Sequence, residues 1–132
     1  DFTGNVMSSM PLSFEPGSIA APLPAGSFSV TKDPHLGRYV MVYSPWPGFI
    51  DRAMVRVSRS PQGPWTAPVE ITLPGCSNTI DGQARNCYAA TAQPAFSTGA
   101  ELGLGFYDQS TPADRNRGRY LVARVPFAVA LS

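Results

Sequence analysis

Proline or glycine interrupts this chain every few residues. With 14 prolines and 12 glycines among 132 residues, long helices are excluded and short strands joined by turns are favoured. The apolar pattern agrees. Ser27-Phe28-Ser29-Val30-Thr31-Lys32 alternates polar and apolar side chains, as a half-buried strand does, and Asp33-Pro34-His35-Leu36-Gly37 follows as a turn. A second strand is expected over Arg38 to Ser44. The third, Asp51 to Arg59, sets Met54 and Arg56 on one side and Val55 and Val57 on the other. Ser60-Pro61-Gln62-Gly63-Pro64-Trp65 then reverses the chain into a fourth strand, Ala67 to Leu73.

The pattern recurs. Val40-Met41-Val42-Tyr43, a Pro/Gly loop and Met54-Val55-Arg56-Val57 are answered about 65 residues later by Leu104-Gly105-Phe106-Tyr107, a polar loop and Leu121-Val122-Ala123-Arg124-Val125. The second unit reads as strands at Cys87 to Ala92, Glu101 to Asp108 and Arg119 to Phe127. Each unit is thus a meander of antiparallel strands, and the expected class is all-β. A lone meander has two faces to cover, and radial stacking covers both, which is the propeller solution. The expectation is two blades of a propeller: residues 27–75 as one blade, 76–132 as the last, and 1–26 completing a neighbour. Two blades cannot close a ring, so the others would come from a second polypeptide, from a removed segment or from further copies. The alternative is a two-sheet sandwich, which a chain of this length can form.

Charged residues make up 14% and hydrophobic ones 43%, against roughly 25% charged in an average soluble domain, so more surface than usual is expected to be covered. The formal charge is +1 and the ten Lys and Arg are scattered, leaving no field to steer nucleic acid or an anionic membrane. No run approaches the roughly 20 apolar residues of a membrane span. Cys76 and Cys87 bracket a polar, turn-prone stretch and read as a disulfide stapling a loop; two reduced, buried cysteines are the alternative. With His35 the single histidine, no metal site is expected, and no motif calls for a cofactor. A disulfide implies an oxidising compartment, hence a secreted protein whose signal peptide has been removed.

Gly37-Arg38-Tyr39-Val40-Met41-Val42-Tyr43-Ser44, followed after a loop and strand by Ser58-Arg59-Ser60-Pro61-Gln62-Gly63-Pro64-Trp65, resembles a blade of the five-bladed, glycosidase-type propellers. That superfamily includes arabinanases and fructan-processing enzymes. Cys87 to Pro94, Leu102 to Tyr107 and Val125-Pro126-Phe127 resemble the last blade of a subgroup of secreted, mainly bacterial domains with endo-D-arabinanase relatives. The resemblance implies a polysaccharide ligand such as an arabinan and glycoside hydrolysis with its principal acids on earlier blades, outside this chain. Related last blades carry His-Pro where this chain has Gln93-Pro94. In such a blade Trp65 would seal the junction with a neighbour.

Glycoside hydrolysis needs two carboxyl groups set across the scissile bond. Asp51, at the start of a strand after an aromatic loop, and Asp108, at a strand end, are the candidates here, each with a competing structural role as an Arg52 partner or a loop cap. Asp33 reads as a turn residue, Asp81 and Glu101 as solvated. Trp46 and Phe49 fall in a loop, where exposed aromatics can stack on sugar rings, and Tyr88 and Gln93 fall on the innermost strand of the last blade, where an axial pocket forms. These four are the expected glycan contacts. Arg56 and Arg59 are expected to flank their strand, and Arg115, Arg117 and Arg119 to form a solvated loop edge. A non-catalytic carbohydrate- or protein-binding module is the competing function.

Overall fold

The computed structural model describes residues 25–45, 51–74, 76, 79–80, 83–84, 87–108 and 118–131. Strands β1 (Ala25–Asp33), β2 (Arg38–Pro45), β3 (Arg52–Ser58) and β4 (Val69–Thr72) form an antiparallel sheet in sequential order. β5 (Thr79–Ile80) and β6 (Gln83–Ala84) make a short ribbon between the cysteines. β7 (Cys87–Ala92), β8 (Glu101–Asp108) and β9 (Arg119–Pro126) form the second antiparallel sheet, again in sequence order. A 3₁₀ turn, Pro94–Phe96, joins β7 to β8, and α1 (Phe127–Ala130) follows β9. Apart from the 3₁₀ turn and α1, the regular elements among the described residues are all strands, and α1 starts at Phe127, where strand was expected to end.

Local chemistry explains the first hairpin. Asp33 Oδ1 accepts the backbone N–H groups of His35 and Leu36 at 2.9 and 3.0 Å, and Gly37, at φ +67°, returns its own N–H to Asp33 O. Asp33 is buried, so the turn is fastened from inside rather than by a solvated side chain.

The two sheets pack against each other, with β7 over β1 and β2, and α1 against β4. Val40, Val42, Val55 and Ile71 of the first sheet meet Ala90, Ala92, Leu102, Leu104 and Phe106 of the second in one continuous core. Backbone groups join them too. Ala90 N–H donates to Ser44 Oγ at 3.2 Å and Ala92 N–H to Ser29 Oγ at 2.9 Å. Those N–H groups lie on the edge of β7, where no further strand pairs among the described residues; the hydroxyls satisfy donors that burial would otherwise leave unmatched.

The opposite face of the first sheet has its own cover. Met41 and Tyr43 alternate with the core valines of β2, and Trp65 closes over them, all three fully buried, with Val30, Tyr39 and Met54 alongside. Trp65 therefore does fold back over the sheet. It does so on the face turned away from the second sheet. The reversal runs through Gly63, at φ +102°, and a cis Gly63–Pro64 bond. Thr66 then pairs with Val57 through both its N–H and its hydroxyl, each at 3.0 Å. Arg56, expected to flank the strand, lies within β3 and is fully buried: Nη1 donates to Thr66 O at 3.1 Å, Nε lies 3.4 Å from Tyr43 OH, and the guanidinium sits over the Tyr43 ring.

Cys76 and Cys87 form a disulfide with Cα atoms 6.2 Å apart and both residues buried, tying the chain beyond β4 to the start of β7. Removing it by the paired change Cys76→Ser and Cys87→Ser should cost about 3 kcal/mol, the chain-entropy figure for a loop near this size. Urea denaturation measures that loss directly. Ser44→Ala should cost about 1–3 kcal/mol by stranding the Ala90 N–H, and a Ser29→Ala, Ser44→Ala double variant should lose more than either single change in the same assay.

Candidate functional site

Alternation along β8 divides its side chains between two faces. Leu102, Leu104 and Phe106 enter the core, with Asp108 on the same side; Glu101, Gly103, Gly105 and Tyr107 face the other way. Register carries that second face across the sheet, since Gly103, Gly105 and Tyr107 pair with Arg124, Val122 and Tyr120 of β9. From β7, Tyr88 pairs with Tyr107 and Thr91 with Gly105.

The β7 pairing contains a bulge. Between Tyr88 and Thr91 the strand has one residue more than β8 opposite, and Ala89 takes φ 58°, a left-handed conformation unusual for alanine. The consequence is a change of phase. Without the extra residue, Thr91 and Gln93 would turn inward with Cys87; with it, both join Tyr88 on the outward face while Ala90 and Ala92 stay in the core.

That face is open and aromatic. Tyr120 is 52% exposed, Val122 45%, Tyr88 43% and Phe96 43%, an unusual concentration of large apolar side chains on one side of a three-stranded sheet. Tyr88 and Tyr107 pack with ring centroids 5.3 Å apart at an interplanar angle of 59°. Tyr120 reaches over Gly105 toward β7. There Gln93 Nε2 donates to the Tyr120 hydroxyl at 3.0 Å and to Thr91 Oγ1 at 3.2 Å, with the two hydroxyls 3.4 Å apart. Gly103 lies under the 3₁₀ turn, where a Cβ would come within 2.5 Å of Gln93 O, and its N–H donates to Ser97 Oγ at 2.9 Å. Beyond Val122, Arg124 Nε donates to Phe96 O at 2.7 Å, beside Glu101 at the end of the face.

The carboxylates are placed differently. Asp51 lies just before β3, 3.5 Å from Arg52 Nε, and Arg52 Nη1 also reaches Glu70 at 2.6 Å. Asp108, with a side chain 1% exposed, ends β8 on the core side, and Arg119 Nε lies 3.7 Å from it. Arg119, expected at a solvated loop edge, is therefore an exposed arginine paired with a buried acid. The two candidate acids sit on different sheets, each beside its own arginine, and neither belongs to the aromatic face. His35 sits exposed in the β1–β2 turn. Trp46, Phe49, Asp81, Arg115 and Arg117 lie outside the described residues. Among the described residues, no group of three or more His, Cys, Asp or Glu could hold a metal.

Of the four expected glycan contacts, the structure thus brings Tyr88 and Gln93 to one face. Tyr107, Tyr120 and Thr91 complete it and were not anticipated. Their signal was available in Gly103 and Gly105, since glycines inside a strand pattern mark places where something crosses closely. Set against known proteins, the chain matches no family model, no curated protein and no solved structure.

The bulge makes the phase of β7 testable. Ala89→Gly should be tolerated, because glycine adopts positive φ without steric cost, while Ala89→Val should destabilise by about 1–2 kcal/mol. Paired thermal melts of the two variants measure the difference.

Proposed function

We propose that this chain is a carbohydrate-binding part of an extracellular, glycosidase-like β assembly, with the outward face of the second sheet as its glycan contact. One observation carries the reading. Tyrosines, an amide and a threonine hydroxyl share an open sheet surface, offering flat apolar rings to sugar C–H groups with hydrogen-bonding groups beside them. The disulfide supports an oxidising, extracellular setting. Among the described residues no helix is long and apolar enough to cross a membrane. Binding, rather than cleavage, is what the described residues supply, since the candidate acids Asp51 and Asp108 do not face each other across this surface.

A catalytic propeller is the second reading, favoured by the plan of the sheets. Both are plain meanders, and the first strand of the second unit lies over the first two of the other, the way successive blades stack. In that case further blades, on a second polypeptide or further copies, would bring the cleaving acids, and the polysaccharide would be of the arabinan kind that the sequence resemblance implies.

Affinity electrophoresis in gels containing linear arabinan tests the binding reading. The chain should be retarded, and Tyr88→Ala and Gln93→Ala should each weaken retention by about three- to tenfold. Unretarded migration of the unmodified chain in every polysaccharide gel would sink it.

A further inference from the structure

Two glycines on the aromatic face are covered by tyrosine rings. A side chain at Gly105 would overlap the Tyr120 hydroxyl and the adjoining ring carbons, and one at Gly118 would overlap the corresponding end of Tyr107. Each ring therefore lies down against the backbone of the sheet. The two rings come from a cross-strand pair, Tyr107 and Tyr120, yet they point opposite ways along the strands, one toward each glycine. Val122 stands opposite Gly105, and Gly118 lies four residues before Val122, so at about 3.3 Å per residue the two seats are about 13 Å apart. One sugar ring cannot cover both.

Among the described residues, the polar groups along this line are uncharged. Gln93 donates through Nε2 to the Thr91 and Tyr120 hydroxyls, which orients the Tyr120 hydroxyl and leaves Oε1 as an acceptor without a protein donor among the described residues. The charged side chains of the face, Glu101 and Arg124, stand at its far end beyond Val122, with Arg124 Nε engaged by Phe96 O. The described residues of this strip have aromatic faces, hydroxyls and an amide to offer, and among them no cation for a uronate or sulfate.

Resting on the carbohydrate-binding reading above, we infer that the strip from Gln93 through Tyr120 and Tyr107 to Tyr88 is a lengthwise site for an uncharged polysaccharide. Tyr120 and Tyr107 are its stacking rings, Gly105 and Gly118 the seats that hold them down, and Gln93 an acceptor for a sugar hydroxyl. The ligand lies along the strands and spans at least two sugar residues. A third sheet or a second copy of the chain is the competing occupant.

Gly105→Ala and Gly118→Ala are the informative variants. The added methyl meets the mobile end of a tyrosine side chain rather than backbone, so the ring lifts while the sheet survives. Titration calorimetry on the chain, with linear arabinan and arabino-oligosaccharides as neutral probes and polygalacturonate as the acidic one, gives the readout. Light scattering and a thermal melt accompany each variant. Expected are binding of arabinan but not polygalacturonate, affinity that rises from monosaccharide to longer oligomers, and a loss of about three- to tenfold in each glycine variant at an unchanged melting temperature. Arabinan binding that both variants leave intact overturns the strip while leaving the carbohydrate reading standing elsewhere on the chain. Tight binding of the monosaccharide or of polygalacturonate overturns the lengthwise, uncharged site. Absence of all polysaccharide binding removes both readings, and a particle heavier than 14.1 kDa that Gly105→Ala dissociates would assign the face to protein contact.

Discussion

Two serine hydroxyls hold the architecture in register. Ser29 and Ser44 project from the first sheet onto the edge of β7 and accept the N–H groups of Ala92 and Ala90. Apolar burial between the sheets is non-directional, and so is nearly indifferent to how the two backbones are aimed at each other. A buried N–H is not indifferent. Its loss of water must be matched by an acceptor at one distance and direction, so these contacts fix where β7 lies over β1 and β2. Everything on the outward face of the second sheet inherits that position.

The two sheets solve the same problem in opposite ways. Each has an inner face in the shared core and an outer face with aromatic residues on it. The first sheet closes its outer face with its own Trp65, delivered by the Ser60 to Pro64 reversal, and seals Met41 and Tyr43 from water. The second leaves Tyr88, Tyr120, Val122 and Phe96 uncovered. Covering costs a chain only a loop and a tryptophan, as the first sheet demonstrates. The contrast makes the open face of the second sheet the place to look for a ligand.

Much of this was legible in the residues. The strands Cys87 to Ala92 and Glu101 to Asp108 were readable from alternation and turn chemistry, and the polar stretch between Cys76 and Cys87 announced a staple. Three features were not legible, each for a physical reason. The bulge at Ala89 has no compositional mark, since alanine rarely takes positive φ and nothing nearby advertises it. Arg56 reads as a charge flanking its strand, yet its partners Tyr43 and Thr66 lie on other segments and meet it only after folding. Tyr107 and Tyr120 obey strand periodicity like core residues, and periodicity reports that a side chain lies on one face without reporting whether that face is covered.

The disulfide does more than shorten a loop. Cys76 follows the first sheet and Cys87 opens the second, so the bond spans the single peptide path by which one sheet leads to the other. A protease that cut anywhere between residues 77 and 86 would leave two fragments still covalently joined, their core and serine contacts undisturbed. Such a nicked molecule would separate only when a reductant acted as well, and in an oxidising milieu rich in proteases the polar loop is thereby made dispensable as a backbone connection.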